Sequence, residues 1–118
     1  MTTIVSMVVY GEPASKANSR QLVHLNGRPA FIKSAKARGY EKDFKAQCKK
    51  IDPLIEGDVR VTIKIFYASR RPDLDESVIL DCMQDLIYKN DRQVKEKHIY
   101  HALDKENPRA EIVVERLE

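Results

Sequence analysis

The sequence predicts an α+β (mixed α/β) fold, a mixed β-sheet packed against two main helices. Three observations predict it. Val59, Val61, Ile63, Ile65 and Tyr67 alternate with Arg60, Thr62, Lys64 and Phe66, the period of a strand with one buried face. Two segments, 34–51 and 75–88, carry apolar residues at helical spacing. Asn26-Gly27 sits between two short β-favouring runs, where it suits the positive φ angles of a type I′ hairpin turn.

In chain order, Ile4 to Val9 form a first strand ended by Gly11 and Pro13. Glu12 to Gln21 has no period and reads as a polar loop. Leu22–Leu25 and Pro29–Ile32 make the hairpin. Ser34 caps a helix bearing Ala37, Tyr40, Phe44, Ala46, Cys48 and Ile51, stopped by Asp52-Pro53. After the alternating strand, a turn feeds the helix 75–88, with Val78, Ile79, Cys82, Leu86 and Ile87 on its core face and Ser77, Asp81, Gln84, Asp85 and Tyr88 on the opposite stripe. Its apolar breadth, Ile79 and Met83 included, exceeds one core stripe and suggests a contact with a second copy of the chain. Ile99–Leu103 and Ala110–Leu117 complete the order β, hairpin, α, β, α, β, β. With 118 residues, the chain is read as a single domain, 1–118.

Net charge is only +3, but its distribution is uneven. Glu12 to Lys50 holds ten basic and three acidic residues, whereas Ile51 to Glu118 holds eleven basic and fifteen acidic ones. The first region suits a polyanion, and the second keeps carboxylates to spare. No run approaches a membrane span, no signal peptide is evident, and the cysteines Cys48 and Cys82 read as buried thiols, so a cytoplasmic protein is expected. There is no P-loop, no dinucleotide glycine fingerprint and no Ser or Cys nucleophile with a partnered histidine, so no nucleotide cofactor is expected. His98 and His101 are three apart in a strand, where odd spacing sends them to opposite faces. Tyr40, Tyr67, Tyr88 and Tyr100 fit core positions better than base stacking.

Asp73 and Asp75 flank Leu74 between a strand end and a helix start, with Asp91 past the far end of that helix. Residues i and i+2 of extended chain point the same way, so the pair converges, and convergent carboxylates repel unless a cation lies between them. Grouped hard oxygens suit Mg²⁺. The same residues also serve as ordinary helix caps and loop polarity. Arg70 and Arg71 adjoin the pair, placed either to hold a phosphate backbone or as a solvated turn.

The string Arg70-Arg71-Pro72-Asp73-Leu74-Asp75, the helix with Asp81 and Leu86, and Asn90-Asp91-Arg92-Gln93-Val94 resemble the RusA family of Holliday junction resolvases. Pro13 to Arg20 is similar to that family's loop after the first strand. The resemblance implies a homodimeric, Mg²⁺-dependent endonuclease that nicks four-way DNA symmetrically in recombination and repair, often prophage-encoded. It carries the catalytic and metal-binding roles onto Asp73, Asp75 and Asp91. Three departures stand out: Glu76 where the family has Asn, Asn90 for the first Asp of its D-D pair, and Ile79 for its lysine. Lys89, Lys95, Lys97 and Lys16 are the candidates to supply that missing cation.

Phosphate contacts are expected from Lys16, Arg20, Arg28, Lys33, Lys36 and Arg38, and from Arg70 and Arg71 nearer the chemistry. For any one helix lysine, a solvated face is an equal reading. The alternative function is a branched-DNA-binding protein with weak or no catalysis, which the Ile79 departure allows.

Overall fold

The computed structural model describes residues 4–13, 20–70 and 75–117. A four-stranded sheet in the order β1-β6-β4-β5 carries β1 (Ile4–Tyr10), β4 (Val59–Tyr67), β5 (Val94–Leu103) and β6 (Arg109–Arg116). A hairpin of β2 (Arg20–Leu25) and β3 (Arg28–Lys33) stands apart from it. The helices are α1 (Ala35–Gln47) and α2 (Ser77–Cys82). The fold is α+β with the expected element order.

The period-two residues of β4 set the core. Val59, Val61, Ile63, Ile65 and Tyr67 are all fully buried, and they pack with Met7, Val9, Ala110, Ile112 and Val114 from the flanking strands. Burying a side chain of this kind contributes roughly 1.5–3 kcal/mol. The helices cover this face. The opposite face of the sheet is ionic and half-open, with Arg60 donating to Glu96 at 2.6 Å and Arg109 donating to Asp104 at 2.7 Å while its guanidinium lies 3.9 Å from the Phe66 ring centre. An antiparallel sheet tolerates such a wet face, and among the described strand pairs of this sheet β4·β5 alone is parallel.

Ser34 caps α1, its hydroxyl accepting the Ala37 N–H at 3.1 Å. The helix stops at Gln47, four residues before the sequence pattern ends. Gln47 clamps the sheet edge by accepting the Tyr10 N–H at 2.7 Å and donating to the Tyr10 carbonyl at 2.9 Å. Beyond it the chain is drawn away, because the Ile51 and Ile55 N–H groups donate to the carbonyls of Leu86 and Ile87. The hairpin turns at Asn26 (φ 53) and Gly27 (φ 76), as its sequence requires, and its strands are longer than expected, taking in Arg20, Gln21, Arg28 and Lys33.

The second helix is the main correction. Instead of 75–88 it spans only Ser77–Cys82, and residues 83–88 fold into turns around Asp85, whose φ is +65°. Tyr88, expected on the polar stripe, is fully buried and donates to the Leu80 carbonyl at 2.7 Å. The apolar breadth therefore serves two internal contacts, one to the sheet and one to the strip 51–55. Ile79 and Met83 are fully buried inside the chain, so they are not free to form a contact with a second copy. The last two strands begin earlier than expected, at Val94 and Arg109.

Among the described residues, no helix is long and apolar enough to cross a membrane. Replacing Tyr88 by Phe removes the donor that closes the 83–88 turn and leaves the Leu80 carbonyl unpaired in the interior. Urea unfolding should show a loss of about 1–2 kcal/mol with an unchanged m-value.

Candidate active site

The parallel pair β4–α2–β5 places one end of α2 near the exit of β4 and the other near the entry to β5. Asp75 precedes the helix and is buried. Its N–H donates to the Tyr67 hydroxyl at 3.4 Å, and its Oδ1 accepts from the Ser77 N–H at 3.0 Å and the Ser77 hydroxyl at 2.8 Å. One carboxylate oxygen thus does the work of a helix cap, as the sequence allowed. Ser77 and Asp81 are one helical turn apart and share a face of α2.

Asp91 lies beyond the other end of α2, held by a dense set of bonds. Asn90 and Gln93 form a capping box around the short 3₁₀ turn Asp91–Gln93, and the Asn90 side chain accepts the Arg92 N–H at 2.9 Å. Gln93 Oε1 accepts the Lys89 and Asn90 N–H groups, both at 3.0 Å, while its Nε2 donates to the carbonyls of Ile55 (2.8 Å) and Gly57 (2.9 Å). The Asp91 N–H donates to Gln84 Oε1 at 3.2 Å. Asn90 therefore caps as well as an aspartate at that position, which gives this departure from the resemblance a benign structural account.

Asp91 lies close enough to Asp81 for its charge to act on that carboxyl. Partial burial, followed by the charge and proximity of Asp91, pushes the Asp81 carboxyl above the usual range, and the charge of Lys33 opposes that rise. A carboxyl raised in part by a neighbouring carboxylate favours a proton or a cation. The sequence places Asp81 on the polar stripe and in the helix that carries the family resemblance, without a site role. Its signal was the i, i+4 spacing from Ser77 together with an aspartate ten positions later at the next element boundary.

Asp75 and Asp91, in contrast, sit toward opposite ends of α2, a helix about 9 Å long by its rise per residue. No three His, Cys, Asp or Glu side chains converge among the described residues. Asp73, Lys16 and Arg71 lie outside the described residues.

The cations expected to hold DNA divide into groups. Arg20 and Lys33 face each other across the base of the hairpin and, with Ser77, Val78 and Asp81, line a cleft of about 30 Å³, room for a water-sized group. Lys33 also bonds Glu41 at 2.7 Å, the largest cause of its raised pKa, to which the charge of Asp81 adds. Lys36 lies 3.9 Å from Glu12, whose other oxygen accepts the Ala68 N–H at 2.8 Å, tying the exit of β4 to α1. Arg70 is exposed just after β4. Arg38 donates to the Lys33 carbonyl at 2.7 Å and fixes the hairpin base.

Ile79, at the position of the family lysine in the resemblance, belongs to the core, and no cation is projected from there. The lysines brought to the acidic face come from other elements. Lys33 stands near Asp81, and Lys97, on the helix-covered side of β5, bonds Glu76 at 2.9 Å. Glu76 is thereby engaged as an ion-pair partner. Burial raises the Cys48 thiol to about 11 and the Cys82 thiol to about 12, so neither is a nucleophile near neutral pH. His98 and His101 fall on opposite faces of β5, His101 stacking on Tyr67 with ring centres 4.7 Å apart. Tyr40, Tyr67 and Tyr88 are core residues, and Tyr100 is exposed.

An acidic helix face beside arginine and lysine from a neighbouring hairpin offers groups that suit a metal ion and a phosphate. The match to known families is more specific. The model of the endodeoxyribonuclease RusA family fits residues 11–115, nearly the whole chain, and the chain belongs to that family. It is an enzyme of the Holliday junction resolvase kind, an endodeoxyribonuclease from a family whose nucleases are metal-dependent and whose substrates are branched DNA junctions. No curated protein is similar enough to add a second comparison.

The raised Asp81 carboxyl carries a sign for stability. The folded metal-free protein binds this proton more tightly than the unfolded chain, so the contribution is full below the free-carboxyl range near pH ~4 and is lost as pH rises through the raised value. In thermal melts with EDTA, Asp81→Asn should remove that part of the slope. At pH 7 it should be more stable than the native protein by a few tenths of a kcal/mol, the exposure of the pair limiting the gain.

Proposed function

We propose that this chain is a Mg²⁺-dependent, structure-selective endonuclease that resolves four-way DNA by paired symmetric nicks, in recombination and repair. The observation that supports this reading is the cleft that Asp81 lines together with Arg20 and Lys33, with the charge of Asp91 acting on Asp81 from beyond the helix. The 118 residues act as one RusA-like endonuclease domain, working in the cytoplasm as a homodimer, and the protein fits a prophage setting. A four-way junction has approximate twofold symmetry, so a C2 dimer presents one acidic face to each of two opposed strands.

The donor set fits the ion. Mg²⁺ takes hard carboxylate oxygens, and Asp81, its carboxyl raised first by burial and then by the charge of Asp91, is a group that a cation would neutralise. Asp91 and Asp81 would hold it, with Asp73 and Asp75 in the roles that the family pattern gives them. Asp75 has one oxygen engaged by Ser77 and the other free of that cap. Bound there, the ion supplies a more acidic water and offsets charge on the phosphate oxygens.

The protein's own groups do the rest. Arg20 and Lys33 hold non-bridging oxygens of the scissile phosphate against α2, and Arg70 and Arg71 take flanking phosphates. Lys16 and Lys36 extend that track along the backbone. Water attacks phosphorus in line: a new P–O bond forms, the opposite P–O bond breaks, the water's proton passes to a carboxylate of the cluster, and the departing sugar oxygen takes a proton from solvent to become a hydroxyl. Lys33 and Lys97 supply the positive field that Ile79 lacks.

The experiment is nicking of a synthetic immobile four-way junction beside linear duplex and single strand, each with Mg²⁺ or EDTA. The native protein should cut the junction alone, and only with Mg²⁺. Asp91→Asn and Asp81→Asn should each lower nicking by about 100-fold or more while junction affinity stays within a few-fold. Junction binding without cutting at any protein excess would instead identify a binding protein that has lost catalysis.

A further inference from the structure

The β2–β3 hairpin carries, beyond the Arg20 and Lys33 tier, exposed side chains that the nuclease chemistry does not use. From Arg20 to Lys36 there are four lysines and arginines and no acidic residue. Its strands pair Arg20 with Lys33, Leu22 with Phe31 and His24 with Pro29, and directly opposed residues share one face of a hairpin. Phe31 is 70% exposed and Leu22 52% exposed, Phe31 being the more exposed of the large apolar side chains described. The Leu22/Phe31 tier therefore lies on the same face as Arg20 and Lys33, two residues further out, roughly 7 Å along the strands.

We propose that Phe31, backed by Leu22, is a stacking platform for an unpaired base at the branch of a DNA junction. The inference rests on the nuclease reading above and deepens it by naming what distinguishes branched from linear substrate. A phosphate held by Lys33 and Arg20 beside Asp81 leaves its nucleotide within reach of the exposed ring. An aromatic side chain flanked by cations binds any base face without needing its sequence. Paired bases in intact duplex do not offer that face, so the platform engages where the helix is opened. The charge argues for this occupant: every ionisable side chain along the hairpin is basic, which complements a phosphate backbone. Arg38, bonded to the Lys33 carbonyl, fixes the platform's base to α1.

The test uses the full chain in EDTA, with a four-way junction carrying 2-aminopurine next to the branch point and a linear duplex of the same sequence. Phe31→Ala, at an exposed position that folding does not depend on, should lower the preference for junction over duplex about ten-fold and abolish the rise in 2-aminopurine fluorescence. Its duplex affinity should stay within two-fold of native, and Phe31→Trp should restore both junction signals. An unchanged preference and fluorescence in Phe31→Ala overturn the proposal, as does an equal loss of affinity for both DNAs. A shift from dimer to monomer in sedimentation also overturns it, assigning the patch to a second copy of the chain. If the native protein with Mg²⁺ nicks the junction while Phe31→Ala keeps its preference, the platform fails and the nuclease reading stands. If the native protein neither binds nor nicks the junction, both fall.

Discussion

Gln93 uses its whole side-chain amide to join three pieces of chain. Its oxygen accepts the N–H groups of Lys89 and Asn90, and its nitrogen donates to the carbonyls of Ile55 and Gly57. The strip 51–57 in turn bonds residues 86 and 87 through backbone hydrogen bonds. The turn that carries Asp91 is therefore tied to a segment 36 to 38 residues away in sequence. Position matters because two carboxyls repel: Asp81 and Asp91 stay near each other only while the backbone on both sides is restrained. The bonds around Gln93 resist that repulsion, and a cation between the two groups would remove it.

The charge pattern has the same logic at a larger scale. The acidic face sits on a six-residue helix with no basic residue of its own, so each compensating cation arrives from a different element: Lys33 from β3, Arg20 from β2 and Lys97 from β5. Lys33 is held by Glu41 but still within the field of Asp81, which leaves it placed between a structural partner and the site. Arg20 and Lys33, opposed across the hairpin, stand at the mouth of that small cleft, where the proposed phosphate contact would fall. Such partly exposed contacts weaken with salt, so they favour substrates that present many phosphates at once.

What was legible in the sequence is what local pattern determines. The alternation in β4, the Asn26-Gly27 turn and the Ser34 cap each depend on near neighbours, and each stands where its pattern put it. The helix 75–88 failed for a non-local reason. Leu86 and Ile87 carry helical spacing, but their backbone is claimed by Ile51 and Ile55, a pairing that no short window contains. The same pairing buries Tyr88 and covers Met83, which turned an apparent external contact into core. Asp81 was visible as a residue but not as a site residue, since its partner Asp91 arrives only after the turn at Asp85 reverses the chain. The string Asn90-Asp91-Arg92-Gln93 was readable as a pattern, and its physical content, a capping box plus a clamp to Ile55 and Gly57, needed the fold.

The two halves of the proposed substrate surface differ in how they are built. The acidic half is crossed by hydrogen bonds at Asp75, Ser77, Gln84, Asn90 and Gln93, each fixing a backbone or side-chain atom near a carboxylate. The hairpin half outside the Arg20/Lys33 tier has apolar and basic side chains facing solvent, and its two strands pair only with each other. A two-stranded hairpin is marginal alone, so its outer tier gains order from whatever it binds. Fixed carboxylates demand a well-placed phosphate, whereas an exposed ring tolerates any base. With the hairpin binding as proposed, discrimination between DNA shapes would fall on it rather than on the acidic face, since a phosphate looks much the same in linear and branched DNA and an unpaired base occurs where the helix opens.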